Sequence, residues 1–284
     1  AMTRRRRYLQ NAALLTASSL VLRLLGMGFR VILSAYLGGE GMGLYQLILA
    51  LYAVFVSLAT AGGNGAATRL AAQSLARGQT LGATARRLCT TALLFGNAAM
   101  AAQSVLAGPL ARWMLHDMRA EAALQVLAPS LPFMAVAGAL RGCFLAARRV
   151  TPNVAAQLIE QLVRRAVAVA GLRATAQWGV GYGCAAVVLG NTVAEGVSCG
   201  LMVLFAVRAP DFARRKGEPL HPYTRRELYE TVLPVEGSRL LSSGLQAAES
   251  SLIPLALALY TGSRAVAMTQ YGNLKGMALP LLFF

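Results

Sequence analysis

A chain of 284 residues that is 56% hydrophobic and only 13% charged, with a mean hydropathy of +0.54, is too apolar for an ordinary soluble domain. Its net charge of +16 would suit a nucleic-acid binder, but the basic residues sit in short clusters between apolar runs, with no recognition motif beside them. The composition is that of an all-α polytopic membrane protein with no nucleic-acid partner, its basic clusters setting orientation in the bilayer.

The first predicted span, about residues 9–37, follows Arg4 to Arg7 and lacks the small-residue cleavage site of a signal peptide, so it reads as a retained membrane helix. Arg23 and Arg30 lie seven residues apart in it, nearly on one helical face, with Gly26 between them on that stripe. Each arginine left alone at the bilayer centre would cost roughly 2.5–3.5 kcal/mol on insertion scales. Either both face a hydrated internal cavity that receives an anionic group, or they snorkel to an interface or pair with a buried carboxylate.

A glycine-rich hairpin leads to a second span, about 43–67, ending in ATAGGNGAATRL, where Gly62, Gly63 and Gly65 break or closely pack the helix. The third, about 88–108, is rich in Ala and Thr. The fourth, about 122–147, carries Pro129 and Pro132, which kink it, and Arg141 near its end. The fifth, about 152–172, contains QLIEQLVRR, and the sixth runs over about 182–207. Next comes the most polar connection, Arg208 to Arg226, with Pro210, Pro219 and Pro222. It divides an N-terminal lobe of about six helices, 1–208, from a linker, 209–227, and the first two helices of an incomplete second lobe, 228–284. Those helices are predicted at about 229–260 and from 266 onward; the last is still apolar at Phe284, so further spans are expected to follow.

With the N-terminus inside, alternate connections collect sixteen basic residues against four in the others, which predicts a cytoplasmic N-terminus and linker in the plasma membrane. Arg23, Arg30, Arg141, Arg164, Arg165, Arg239 and Lys275 fall inside spans and are the functional candidates. Acidic residues there offer partners. Glu160 and Arg164 are four apart and can satisfy each other; Asn191 and Glu195 share a face; Glu236 and Arg239 are three apart, with Glu249 further along. Each glutamate is either a proton or cation relay or structural glue. Cys89, Cys143, Cys184 and Cys199 have neither disulfide nor metal spacing, His116 and His221 are isolated, and no nucleotide loop or nucleophile constellation is present. The reading is a non-enzyme without cofactor or metal. Arg23-Leu24-Leu25 recurs as Arg239-Leu240-Leu241 on the far side of the polar connection, as in two repeated bundles.

The strings RLLGMGFRVILSAYLGGEGMGLYQ, TAGGNGAATRLAA, LRGCFLAARRVTPNVAAQLIEQLVRR and YGNLKGMALPLLFF together resemble the stage V sporulation protein B branch of the polysaccharide and lipid II flippases. That group lies within the multidrug/oligosaccharidyl-lipid/polysaccharide exporter superfamily. The resemblance implies two lobes of 12 to 14 helices in all around a central cavity, moving undecaprenyl-pyrophosphate-linked sugars outward by alternating access. Arg239 across the lobe boundary is a third candidate and cell-wall or spore-cortex synthesis machinery an expected partner, while the resemblance itself implies that the pyrophosphate is bound by Arg23 and Arg30. Their spacing of seven matches the sporulation branch; typical lipid II flippases have six. The Pro and Lys common at the end of this family's second span are absent, Asn64 or Gly65 and Arg69 standing there, so nothing is carried over to that region. Alternatives are a cation-coupled drug exporter of the same superfamily, which would favour acidic residues over arginines in the first lobe, and a non-transporting scaffold for wall assembly.

The charge asymmetry makes a topology prediction. Single cysteines at Arg77, Arg148 and Arg215 should be shielded from an impermeant thiol reagent in intact cells, and cysteines at Asp117 and Arg264 should label; labelling of position 215 from outside overturns the assignment.

Overall fold

In the computed structural model, residues 4–60, 64–175, 178–213 and 225–279 are described, and among them every regular element is helical. In chain order they are α1 (Arg4–Ala59), α2 (Asn64–Ala76), α3 (Leu81–Trp113), α4 (Arg119–Leu127), α5 (Ser130–Ala146), α6 (Thr151–Thr175) and α7 (Val180–Arg208). A 3-10 turn (Pro210–Phe212), α8 (Arg225–Thr261), α9 (Arg264–Tyr271) and a π-helical segment (Gly272–Ala278) complete them. Four stretches are long and apolar enough to cross a membrane: Ser19–Ala59, Leu81–Trp113, Arg119–Ala146 and Val180–Arg208. The chain is an all-α polytopic membrane protein. α6 falls short on composition because it carries Glu160, Arg164, Arg165 and Arg173, yet it packs along α7 over its length.

The expected glycine-rich hairpin is tighter than a loop. Helix α1 is interrupted only at Gly38, whose φ of 66° and ψ of −176° are easy for a residue without Cβ, and the helix resumes at once. Gly26, Phe29, Arg30 and Leu33 before it and Tyr45, Gln46, Leu49 and Tyr52 after it line one cavity, so the two arms lie side by side. The second arm stops at Ala59, with Thr60 donating through both its amide and its hydroxyl to the Val56 carbonyl. The span expected over 43–67 is therefore corrected: Asn64–Ala76 is a separate helix that buries Ala67, Leu70 and Ala71 and leaves Arg69 exposed. Hydropathy did not separate the two because both contribute apolar residues, one to a span and one to a single buried stripe. The expected proline kink divides the fourth span into α4 and α5 at Ala128 and Pro129. Just before the break, Gln103 Nε2 donates to the Leu124 carbonyl at 2.7 Å and Thr192 Oγ1 to that of Val126 at 2.7 Å, as backbone away from water requires.

Small residues set the closest approaches. The buried stripe of α3 includes Ala92, Gly96, Ala99, Ala107 and Ala111, and a Cβ on Gly96 would run into the backbone of Pro132. α1 crosses α9 more tightly still: a Cβ on Gly43 would meet the Met268 carbonyl, and one on Gly272 the Gly39 carbonyl. Gly39 and Gly43 on one side and Gly272 and Gly276 on the other form two facing small-xxx-small pairs.

The connections sort to two ends. At one end Arg119 Nη2 reaches Glu40 Oε1 and Asp117 Oδ2, each at 2.8 Å, while Arg264 donates to the Leu115 carbonyl, tying the turns at Gly38, 114–118 and 262–264 together. Burial pushes the Asp117 carboxyl up, but hydrogen bonds from the Arg119 guanidinium and amide outweigh it and hold the group below its ordinary value. Among the described residues, the exposed tyrosines and tryptophans Tyr36, Trp113, Trp178, Tyr182 and Tyr260 all belong to this end, an arrangement suited to a membrane interface. At the other end Arg149 Nε binds Asp211 Oδ2 at 2.6 Å.

The glycine crossing yields a stability prediction. Gly43→Leu or Gly272→Leu should lower the thermal unfolding temperature in detergent, corresponding to at least about 1–3 kcal/mol of overpacking, whereas Gly28→Leu, where a Cβ meets nothing within 4 Å, should leave it near wild type.

Candidate functional site

A cavity of about 310 Å³, lined by apolar surface with polar and charged side chains set into it, lies among both arms of α1 and helices α5, α6 and α7. Gly26, Phe29, Arg30, Tyr45, Gln46, Tyr52, Met134, Gln161, Arg164, Arg165, Asn191 and Glu195 are on its wall. In the middle of an apolar bundle such a concentration of donors needs a reason, because each unpaired polar group held away from water costs several kcal/mol.

The three guanidiniums are held differently. Arg30 Nη1 donates to the Gly276 carbonyl of the π-helical segment at 3.2 Å. Arg165 Nε donates to the Leu25 carbonyl at 3.1 Å and its Nη1 to the Gln161 carbonyl at 2.8 Å, with its head 5.8 Å from the ring centre of Phe29. Both arginines thus take neutral acceptors and keep their charge. Arg164 is instead neutralised: its Nη2 donates to Glu160 Oε1 at 2.8 Å and to Glu195 Oε1 at 3.0 Å. Behind it, Arg141 Nη2 donates to Glu160 Oε2 at 2.6 Å and to Ser198 Oγ at 2.7 Å. Two cations and two anions balance there, joining α5, α6 and α7. Arg30 and Arg165 are what remains to give the cavity its positive field.

Of the residues expected from sequence, Arg30, Arg164, Arg165, Asn191 and Glu195 come together on this wall. Glu160 forms the i, i+4 pair with Arg164 and gains a second partner in Arg141. Arg23 is exposed, on the same α1 stripe as Gly26 and Arg30 and about 10 Å along the axis from Arg30, at the edge of the cavity and off its wall. It does not pair with Glu160, whose two oxygens are taken by Arg164 and Arg141. Arg239 is exposed on α8, one turn before Ser243, whose hydroxyl meets that of Ser57 at 2.6 Å. Glu249 is largely exposed, 3.6 Å from Lys275 Nζ, while Lys275 donates to Ser250 Oγ at 2.7 Å. The Glu236 side chain lies outside the described residues.

Tyr45, Gln46, Tyr52 and Gln161 are the polar wall residues that pattern reading did not single out as a site. For Arg165, its neighbour indicates the direction. Adjacent arginines on a helix point about 100° apart, so when Arg164 turns to Glu160, Arg165 must face elsewhere, and the α1 carbonyls are there.

Residues 8–284 match the family described as Polysaccharide biosynthesis protein. The chain is 27% identical over 296 aligned positions to stage V sporulation protein B of Bacillus subtilis (strain 168), covering 97% of this chain and 54% of that protein. It therefore spans about half the length of the curated relative it matches. No solved structure matches it.

Proposed function

Because this chain belongs to the polysaccharide biosynthesis protein family, we propose that it forms the headgroup-binding half of a transporter that flips a lipid-linked saccharide across the plasma membrane. The observation that carries the reading is the pair Arg30 and Arg165, two half-buried guanidiniums on the cavity wall with carbonyl rather than carboxylate partners. A pyrophosphate-linked polyprenyl carrier can cross a bilayer only if donors replace water around its phosphates. Guanidinium suits that task because it stays charged and presents paired donors to phosphate oxygens. The cavity volume, about 310 Å³, is at the small end of ligand pockets, with room for phosphates rather than a whole saccharide.

In this reading the prenyl chain stays in lipid and the sugar trails into water. Arg23 at the cavity edge makes the first electrostatic contact, and Arg30 and Arg165 hold the phosphates at mid-depth. Arg239, outside the wall, would join only after a rearrangement of α8. The cytoplasmic N-terminus that the basic clusters favour places α1 so that Arg23 is nearer the cytoplasm than Arg30, the order in which an outbound headgroup would meet them. A cationic-drug exporter is disfavoured by a wall whose unneutralised charges are positive, and a scaffold would gain nothing from keeping them in the membrane.

Binding to the purified chain in nanodiscs tests this directly. Undecaprenyl pyrophosphate should bind far more tightly than undecaprenol or inorganic pyrophosphate. Arg165→Ala and Arg30→Ala should each weaken it roughly 10- to 100-fold, the worth of a charge-assisted hydrogen bond of about 1.5–3 kcal/mol, with lysine recovering part. Equal binding of undecaprenol, or unchanged affinity in both alanine variants, overturns the reading.

A further inference from the structure

We propose that Glu195 is a proton-binding site that controls how much positive charge the cavity offers an anion: ionised, it neutralises Arg164, and protonated, it leaves Arg164, still bonded to Glu160, with an uncancelled charge beside Arg30 and Arg165. The inference rests on the anion-binding reading above and adds to it a second, chemically distinct ligand, the proton.

The geometry separates the two buried glutamates. Glu160 has both oxygens occupied, one by Arg141 at 2.6 Å and one by Arg164 at 2.8 Å. Glu195 has one donor, at 3.0 Å on Oε1, while its Oε2 is buried without a hydrogen-bond partner among the described residues. Its side chain is only 4% exposed, yet it is part of the cavity wall, which Glu160 is not. A carboxylate with one oxygen desolvated and unsatisfied is the member of a buried network that gains most from a proton.

Among the described residues, titratable groups from four helices surround Glu195. Glu160 and Arg164 face Glu195 from α6, Arg141 from α5, the Tyr52 phenol from α1, and Cys199 lies one turn along α7 itself. Arg30 and Arg165 share the cavity wall. With both glutamates ionised, the pairs Arg141 with Glu160 and Arg164 with Glu195 cancel. A proton on Glu195 removes one negative charge and leaves Arg164 with an uncancelled positive one at the wall. The same guanidinium has a buried Nε without a partner, a donor ready for an incoming acceptor. No bond besides the O–H forms or breaks; the proton comes from water reaching the cavity and returns there when the anion leaves.

Linkage makes this measurable. If a proton raises anion affinity, the anion must raise proton affinity by the same factor, and such couplings are typically roughly 5- to 150-fold. The probe is decaprenyl methyl phosphate, a phosphodiester whose own charge is constant through the working range, so any pH dependence belongs to the protein. For the wild-type chain in nanodiscs, affinity should rise at least about fivefold as pH is lowered from about 8 to about 6, and titration in two buffers of different ionisation enthalpy should show uptake approaching one proton per anion. Glu195→Gln, isosteric and permanently neutral, should bind tightly at both pH values with no uptake. Glu160→Gln should keep the dependence.

Wild-type binding without pH dependence or uptake overturns the proton site and leaves the anion reading standing. Dependence that survives in Glu195→Gln, or vanishes only in Glu160→Gln, overturns it as well. Absence of prenyl phosphate binding at any pH removes the anion reading and the proton site together. Should Glu195→Gln not fold, the wild-type proton count decides alone: uptake upholds the site and its absence overturns it.

Discussion

Everything in this bundle hangs on one constraint, that a charge held in lipid must find its counter-charge or a ligand. The alternation Arg141, Glu160, Arg164, Glu195 meets it for four side chains at once and in doing so joins α5, α6 and α7. Breaking such a set by removing one member is costly, on the order of 3–5 kcal/mol, because the partner is left buried and unpaired. The network thus fixes the relative rotation of three helices. Once those rotations are set, Arg165 turns toward α1, where the Leu25 carbonyl receives its Nε while the Gln161 carbonyl of its own helix takes its Nη1. A structural ion network creates the chemically available site beside it.

Helix α1 is the other half of that site, and it works through glycine twice. At Gly38 the chain folds back with a single non-helical residue, so the arm bearing Arg30 and the arm bearing Tyr45 and Tyr52 enclose one cavity. At Gly39 and Gly43 the second arm lets α9 approach to backbone contact, and the π-helical segment that follows offers its Gly276 carbonyl to Arg30. π-helical turns often mark functional positions. Here one links a cavity arginine to the helices beyond the polar connection, so that the cavity wall and the packing of α9 share one guanidinium.

Much of this was legible in residue order, because hydropathy and charge are local quantities. Composition and alternating basic clusters identify a polytopic helical membrane protein, and the spans at α3, α6, α7 and α8 lie close to their expected positions, since each is a run whose apolarity ends in charge or proline. The i, i+4 spacing of Glu160 and Arg164 sufficed for their pairing, as both lie on one helix. The end of the second span was misread because α2 continues the apolar composition while burying only one face, a distinction that depends on what lies alongside.

What the tertiary structure alone decided is which arginines are neutralised and which are left to act. Arg23, Arg30, Arg141 and Arg165 look alike in sequence, each a cation in an apolar run. Glu160 meets Arg141 across 19 residues, Glu195 meets Arg164 across 31, and Arg165 meets Leu25 across 140. A helix determines its own stripe through its 3.6-residue period, and so sequence by itself established the class, the approximate positions of most helices and the presence of charge within them. The partner of each charge sits on another helix, whose rotation follows from packing small residues against one another, and no local pattern contains that angle.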